Sequence, residues 1–71
     1  MADSVYKLIE LVGTSSESFE KAAAVAVNQA AKSLRDLRIA EIVQLDMQLQ
    51  NGKVKAYRAK VRVSFKFEGK K

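Results

Sequence analysis

The dipeptide Asn51-Gly52 stands between two segments in which apolar and polar residues alternate. Asn-Gly is typical of a two-residue β-hairpin turn, because both residues adopt positive φ angles readily. The first alternating segment begins at Ile39, and the second is clearest from Tyr57 onward. Strands joined by such a turn are antiparallel, and alternation gives each of them one apolar face. The second half of the chain is therefore predicted to be one long hairpin.

A plain two-residue turn gives this hairpin a mismatched register. It would place Leu45 opposite Arg58 and so mix apolar and charged side chains on one face. One extra residue near Ala56 or Tyr57 removes the mismatch, and the sequence therefore predicts a β-bulge there. A turn of different length is the alternative. The corrected register pairs Leu45 with Ala59, Val43 with Val61, and Asp46 with Arg58.

The first half of the chain contains one predicted strand and one predicted helix. Residues 5–12 are rich in β-branched and aromatic side chains and end at Gly13. Ser16 is the preferred helix N-cap, with Ser15 and Thr14 as alternatives, and the helix is expected over about residues 17–34. Its apolar stripe is predicted to comprise Phe19, Ala23, Ala26, Ala30, Leu34 and Leu37.

Together these elements predict an α+β fold with the order β-α-β-β, a three-stranded antiparallel sheet curled around one helix. Residues 1–71 are expected to form a single domain. A domain of this size buries only about 60% of its unfolded surface, and the chain has no cysteine for a disulfide. One helix cannot cover both faces of the sheet, and long strands leave an edge to be paired. We therefore expect a symmetric homo-oligomer.

The composition excludes most of the common types of catalytic site and metal-binding site. The chain has neither cysteine nor histidine, which eliminates thiolate and imidazole ligands and the usual nucleophilic triads. No nucleophile–base pair can be assembled, so we do not expect an enzyme. The first seven residues do not resemble a signal peptide, and no apolar run is long enough to span a membrane. We expect a cytoplasmic protein with no membrane partner.

The formal net charge of +5 is concentrated in the last third of the chain. The cations there are Lys53, Lys55, Arg58, Lys60, Arg62, Lys66, Lys70 and Lys71. A basic strand of this kind is found in proteins that bind nucleic acid, but no phosphate-binding loop or aromatic cluster accompanies it. A solvated or subunit-facing strand is the favoured interpretation, and a basic nucleic-acid-binding module is a second alternative.

Several segments, in this order and spacing, resemble the dodecin family over nearly the whole chain. They are VYKLIELVGTS, SFEKAA, SLRDLRIAEI, NGKV and YRAKVRVSFKF. The resemblance implies a hollow homododecamer. It also implies a non-enzymatic binding and storage protein, whose ligand in the best-known members is a flavin such as riboflavin or FMN.

The resemblance further implies which positions contact the ligand. Flavin-binding dodecins stack a tryptophan from the start of the second strand on the flavin ring, and Ile39 occupies that position here. A glutamine after the tyrosine of the third strand contacts the polar edge of the ring, and here Arg58 follows Tyr57. Glu41 keeps the family pattern. The candidates for the ligand pocket are therefore Ile39, Glu41 and Arg58, and we expect Asp46 to hold Arg58 across the hairpin.

A calcium-binding shell is the alternative function, as expected for a branch of the family that lacks the tryptophan. The carboxylates are too scattered for a site within one subunit, and no EF-hand loop is present. Symmetry increases the number of carboxylates available to a metal, because three subunits each contribute the same carboxylate near a threefold axis. The metal candidates are Glu41 and Asp46. Pairing of each with a nearby arginine or lysine is the purely structural alternative.

Overall fold

The computed structural model describes residues 3–67, so Lys70 and Lys71 lie outside the described residues. The elements are β1 (Tyr6–Ser15), α1 (Phe19–Ser33), β2 (Leu37–Gln50) and β3 (Lys53–Lys66). The strands form one antiparallel sheet in the order β1-β3-β2, with β3 in the centre. The predicted α+β fold is confirmed. Within residues 3–67, no helix has the length and apolar character needed to cross a membrane.

Helix α1 begins two residues later than predicted. Its N-cap is Ser18, whose side-chain oxygen accepts a hydrogen bond of 3.0 Å from the backbone N–H of Lys21. The prediction of Ser16 is therefore wrong. Ser15 orders the preceding turn instead, because its hydroxyl oxygen accepts a hydrogen bond of 2.9 Å from the N–H of Glu17. This turn moves the first helical residue to Phe19.

The core lies between α1 and the central strand β3. Its buried side chains are Ala22, Ala26, Ala30, Ala59, Val61 and Val63. The predicted apolar stripe did not include Ala22, and Ala23 packs against the edge of the core as a half-buried residue. Leu37 belongs to β2 and not to the helix. Alanines at four-residue spacing let the helix backbone lie close to the sheet.

Gly13 lies inside β1 and does not end it. The strand continues to Ser15, which is opposite Tyr57 on β3. Gly13 is buried beneath the helix, where a Cβ atom would overlap the carbonyl oxygen of Ala22 and lie 3.0 Å from the Cβ of Ala26. The glycine is therefore required for the close approach of helix and sheet.

The hairpin turn and part of its predicted register are confirmed. Asn51 and Gly52 both have positive φ angles, 55° and 74°. The predicted bulge is present, and Lys55 is its extra residue. The pairs Leu45–Ala59 and Asp46–Arg58 are present as predicted.

Two further irregularities lie on β2. Val43 is an extra residue, so Ile42 and not Val43 pairs with Val61, and the predicted Val43–Val61 pair is wrong. The third register shift lies at Arg38. The extra residue at position 43 reverses the alternation. As a result, Ile42 and Leu45 both lie on the helix side of the sheet although they are three positions apart.

The register divides the sheet into two faces, because cross-strand partners project to the same side. The helix side carries the core residues of β3. We call the opposite side the outer face. Its positions are Tyr6, Leu8, Glu10, Val12 and Thr14 on β1, Arg58, Lys60, Arg62, Ser64 and Lys66 on β3, and Ile39, Glu41, Gln44, Asp46 and Gln48 on β2.

Candidate functional site

A row of charged side chains crosses the middle of the outer face. The cations Arg58, Lys60 and Arg62 come from the central strand, and the acids Glu10, Glu41 and Asp46 come from the two flanking strands. Three positive and three negative groups balance one another in this region. The basic character that the sequence assigns to β3 is therefore offset locally by carboxylates from β1 and β2.

Asp46 holds Arg58 in a bidentate ion pair. The Nε of Arg58 donates to Oδ1 of Asp46 at 2.8 Å, and its Nη2 donates to Oδ2 at 2.9 Å. These hydrogen bonds lower the pKa of the Asp46 carboxyl below its ordinary value and raise the pKa of the Arg58 guanidinium. The expected cross-strand pairing is present. It fixes the plane of the guanidinium and occupies two of its donor groups.

Arg62 joins all three strands through two carboxylates. Its Nε and Nη2 donate to Oε2 of Glu10 at 3.0 and 2.6 Å, while its Nη1 lies 3.7 Å from Oε1 of Glu41. The hydrogen bonds from Arg62 lower the pKa of Glu10. The Glu41 side chain is 61% exposed and only loosely paired. Of the three carboxylates in this row, Glu41 is the most available to a cation from solution.

Lys60 lies between these two ion-pair groups. No carboxylate among residues 3–67 forms a salt bridge with its ammonium group. After the hydrogen-bonding arginines, Lys60 adds a smaller electrostatic contribution to the lowered pKa values of Glu10 and Asp46. A depression of about 260 Å³ opens beside it, lined by Val12, Gln44, Asp46, Arg58 and Lys60. The lining contains no aromatic side chain, so it provides no surface for stacking a flat ring.

The structure does not bring the three predicted pocket residues together within one chain. Ile39 pairs with Ser64 near the start of β2 and is 67% exposed. Arg58 lies six residues before Ser64 on β3, which corresponds to about 20 Å along the strand. Ile39, Glu41 and Arg58 therefore form a line on the outer face. Any site that contains all three needs side chains from more than one chain.

A second depression lies at the end of the sheet that carries Ile39. It has a volume of about 200 Å³ and is open to solvent. It is lined by Val27, Leu37, Arg38, Ile39, Ala40 and Val63. Five of these six residues are apolar, so this surface favours alkyl contact over polar recognition.

The two predicted metal ligands are also separated. Glu41 and Asp46 pair with Arg62 and Arg58, which lie four residues apart on β3, or about 13 Å along the strand. Among residues 3–67, no three Asp, Glu, His or Cys side chains lie close enough to hold a metal ion. Calcium takes six to eight oxygen ligands. The described part of one chain therefore does not form a complete calcium site.

Sequence reasoning did not predict the contact between Glu10 and Arg62. Glu10 and Arg62 are separated by 52 positions in the chain, and their contact depends on the pairing of β1 with β3. The contact could have been found only from the alignment of β1 with β3. Once β1 is placed beside β3 with Gly13 opposite Ala59, Glu10 falls opposite Arg62.

Comparison with known proteins gives consistent matches across the chain. The family model described as Dodecin matches residues 5–68. The curated protein "Calcium dodecin" of Mycobacterium tuberculosis is 46% identical over 63 residues, covering 89% of each chain. "Dodecin" of Thermus thermophilus is 39% identical over 64 residues, covering 90% of this chain and 93% of that protein. A crystal structure of the calcium-chelating antigen calcium dodecin from M. tuberculosis superimposes with a TM-score of 0.82 at 43% identity, covering 96% and 97% of the two chains.

Proposed function

The chain belongs to the dodecin family, and from this premise we propose that it forms a homododecameric shell that binds and stores a small ligand without catalysing a reaction. The small core of one chain supports self-association, because the buried side chains among residues 3–67 are only alanines and valines. The absence of histidine and cysteine from the sequence supports a non-enzymatic role. We also propose that the protein is cytoplasmic.

The ligand we propose is calcium, bound by Glu41 side chains from several copies of the chain. The observation that carries this proposal is the exposure of Glu41 together with its long contact of 3.7 Å to Arg62. A carboxylate is a hard oxygen ligand suited to calcium, and symmetry multiplies a single carboxylate. The relative from M. tuberculosis, at 46% identity, is itself named a calcium dodecin, which supports the same choice.

Asp46 is the less available of the two predicted metal ligands. Both of its carboxylate oxygens accept hydrogen bonds from Arg58. A cation would have to displace the guanidinium and would leave Arg58 without its partner. We therefore assign Asp46 to holding Arg58 and Glu41 to the cation.

Flavin binding remains a prediction with weaker support. The exposed Ile39 offers alkyl contact where a tryptophan would offer a stacking surface, and aromatic pairs contribute about 0.5–1.5 kcal/mol beyond their area. Arg58 has two of its donors committed to Asp46. Titration of riboflavin or FMN, followed by flavin fluorescence, tests this alternative, and no quenching at micromolar protein would exclude tight flavin binding.

Calorimetric titration with calcium chloride tests the calcium proposal. We expect the wild-type protein to bind calcium and Glu41→Gln to lose at least tenfold in affinity. Glu17→Gln is the matched control, because Glu17 is an exposed carboxylate in the turn before α1, paired only weakly with Lys21 at 3.6 Å. Equal affinity of Glu41→Gln and Glu17→Gln would contradict the assignment. Absence of calcium binding by the wild type would contradict the ligand itself.

A further inference from the structure

Arg62 lies between two carboxylates in one row across the sheet. Its position on β3 is opposite Glu10 on β1 and opposite Glu41 on β2, and all three side chains project to the outer face. The row therefore contains two negative charges and one positive charge. A single guanidinium cannot neutralise both carboxylates, so the way in which Arg62 is shared decides which of them stays available to other cations.

The geometry assigns the guanidinium to Glu10. The Nε and Nη2 groups of Arg62 both donate to Oε2 of Glu10, at 3.0 and 2.6 Å. The Nη1 group lies 3.7 Å from Oε1 of Glu41, which is too long for a hydrogen bond. The pKa of the Arg62 guanidinium is raised chiefly by the hydrogen bonds to Glu10 and then by the charge of Glu10, and the charge of Glu41 makes the smallest contribution.

The surroundings of the two carboxylates differ in the same direction. The Glu10 side chain is 44% exposed, and the charge of Lys60 adds to that of Arg62 in lowering its pKa. The Glu41 side chain is 61% exposed, and within residues 3–67 Arg62 is the only residue that forms a salt bridge with it. A cation that binds Glu41 therefore leaves the hydrogen bonds between Arg62 and Glu10 intact.

We propose that Glu10 is a positioning residue that holds Arg62 away from Glu41 and so keeps Glu41 available to calcium. The proposal rests on the proposed function, because calcium is the ligand proposed there for Glu41. Within one chain, Glu10 acts without contact to the cation, since it projects from a strand about 10 Å from the strand that carries Glu41. Without the charge of Glu10, the guanidinium turns to Glu41, the other carboxylate of its row, and competes with calcium.

Calorimetric titration with calcium chloride of four proteins tests this role. They are the wild type, Glu10→Gln, Arg62→Gln and the double variant. We expect Glu10→Gln to weaken calcium binding by roughly fivefold or more, because a guanidinium on each contributing copy of Glu41 has to be displaced. In the Arg62→Gln background the same substitution should have no effect, because no guanidinium remains to be repositioned.

The comparison of the two backgrounds separates positioning from simple attraction. If the charge of Glu10 attracted calcium directly, Glu10→Gln would weaken binding equally with and without Arg62. An equal loss in both backgrounds would overturn the proposal. So would unchanged affinity of Glu10→Gln in the wild-type background.

A crystal structure of Glu10→Gln, grown without calcium, gives a second readout that does not depend on calcium. We expect a nitrogen of Arg62 to lie within about 3.2 Å of a Glu41 carboxylate oxygen, instead of the 3.7 Å in the wild type. Glu17→Gln is the matched control, because Glu17 pairs with Lys21 outside this row, and it should leave Arg62 on Glu10. An Arg62 no closer to Glu41 in Glu10→Gln than in the wild type would overturn the proposal.

The two proposals fail in distinguishable ways. A wild-type protein that does not bind calcium would contradict the proposed ligand, and the crystal structure alone would then decide whether Glu10 positions Arg62. Calcium binding that depends on Glu41 but responds equally to Glu10→Gln in both backgrounds would remove only the positioning role. The calcium assignment of Glu41 would stand in that case.

Discussion

The ring of Phe19 meets the ring of Tyr57 edge to face, with 5.0 Å between the centroids and 69° between the planes. Phe19 is the first residue of α1, and Tyr57 is the last position at which the sheet still has three strands. The contact therefore fixes the start of the helix at the place where the three-stranded part of the sheet gives way to the two-stranded end of the hairpin. Both side chains are half-buried.

We predict that this contact contributes a measurable coupling energy. In a double-mutant cycle with Phe19→Leu and Tyr57→Leu, the coupling should be about 0.5–1.5 kcal/mol, the range for aromatic pairs beyond their burial. The measurement is urea unfolding at one fixed protomer concentration, since assembly contributes to apparent stability. A control cycle of Phe19→Leu with Phe65→Leu, at the other end of β3, should be additive. Equal coupling in both cycles would contradict the prediction.

The second prediction concerns the glycine beneath the helix. Gly13→Ala adds a Cβ that overlaps the backbone oxygen of Ala22, and backbone cannot yield as a flexible side chain can. We expect the free energy of unfolding to fall by about 1–3 kcal/mol, the usual range for overpacking. Denaturant unfolding at fixed protomer concentration measures it.

Gly52→Ala is the control that separates overpacking from backbone strain. A Cβ at Gly52 meets no atom within 4 Å, but the residue has a φ angle of 74°. We expect Gly52→Ala to lower the free energy of unfolding by only about 1 kcal/mol, because alanine disfavours a positive φ angle. If Gly13→Ala lowers the free energy of unfolding no more than Gly52→Ala does, the helix must move aside at little cost.

The fold could be predicted from the sequence because its strongest signals are local. The Asn51-Gly52 turn and the alternation on both sides of it specify the hairpin, and both are present in the structure. The extra residue at Val43 was not predictable in the same way. Ile42, Val43 and Leu45 are all apolar, so only the position of the helix decides which of them face it.

The candidate site shows a different limit. The Asp46–Arg58 pair follows from the hairpin register and was predictable. The Glu10–Arg62 pair joins strands that are distant in sequence, and the separation of Ile39 from Arg58 is visible only when the whole sheet is laid out. The sequence therefore shows which residues are charged, but which of them contact one another follows only from the strand order β1-β3-β2.

The third prediction is the acid sensitivity contributed by Asp46. Its pKa is lowered in the folded protein from an ordinary value of 3.8, chiefly by the hydrogen bonds from Arg58. The unfolded chain therefore binds more protons than the folded protein near that pH. The ion pair stabilises the folded state fully at pH values above the pKa of Asp46 in the unfolded chain. This stabilisation is lost as the pH falls below about 4 and through the folded pKa. Asp46→Asn lacks it at every pH.

Thermal unfolding from pH 7 to pH 2.5 measures this contribution. We expect Asp46→Asn to melt below the wild type at pH 7, and we expect the difference to shrink as the pH falls below 4. Glu17→Gln removes an exposed and weakly paired carboxylate, so its difference from the wild type should be small and nearly constant. A wild-type advantage over Asp46→Asn that persists unchanged at pH 2.5 would show that the effect is not electrostatic.

The last prediction concerns Ile39 and flavin. If the outer-face position of Ile39 lies against a bound ring, Ile39→Trp supplies the stacking surface that isoleucine lacks. An aromatic pair contributes about 0.5–1.5 kcal/mol beyond its buried area, which corresponds to roughly 2- to 12-fold tighter binding of riboflavin. Quenching of riboflavin fluorescence measures the affinity, and Ile39→Leu is the control because it keeps the alkyl size and adds no ring. Equal affinity of the Trp and Leu variants would show that position 39 does not contact a flavin ring in this protein.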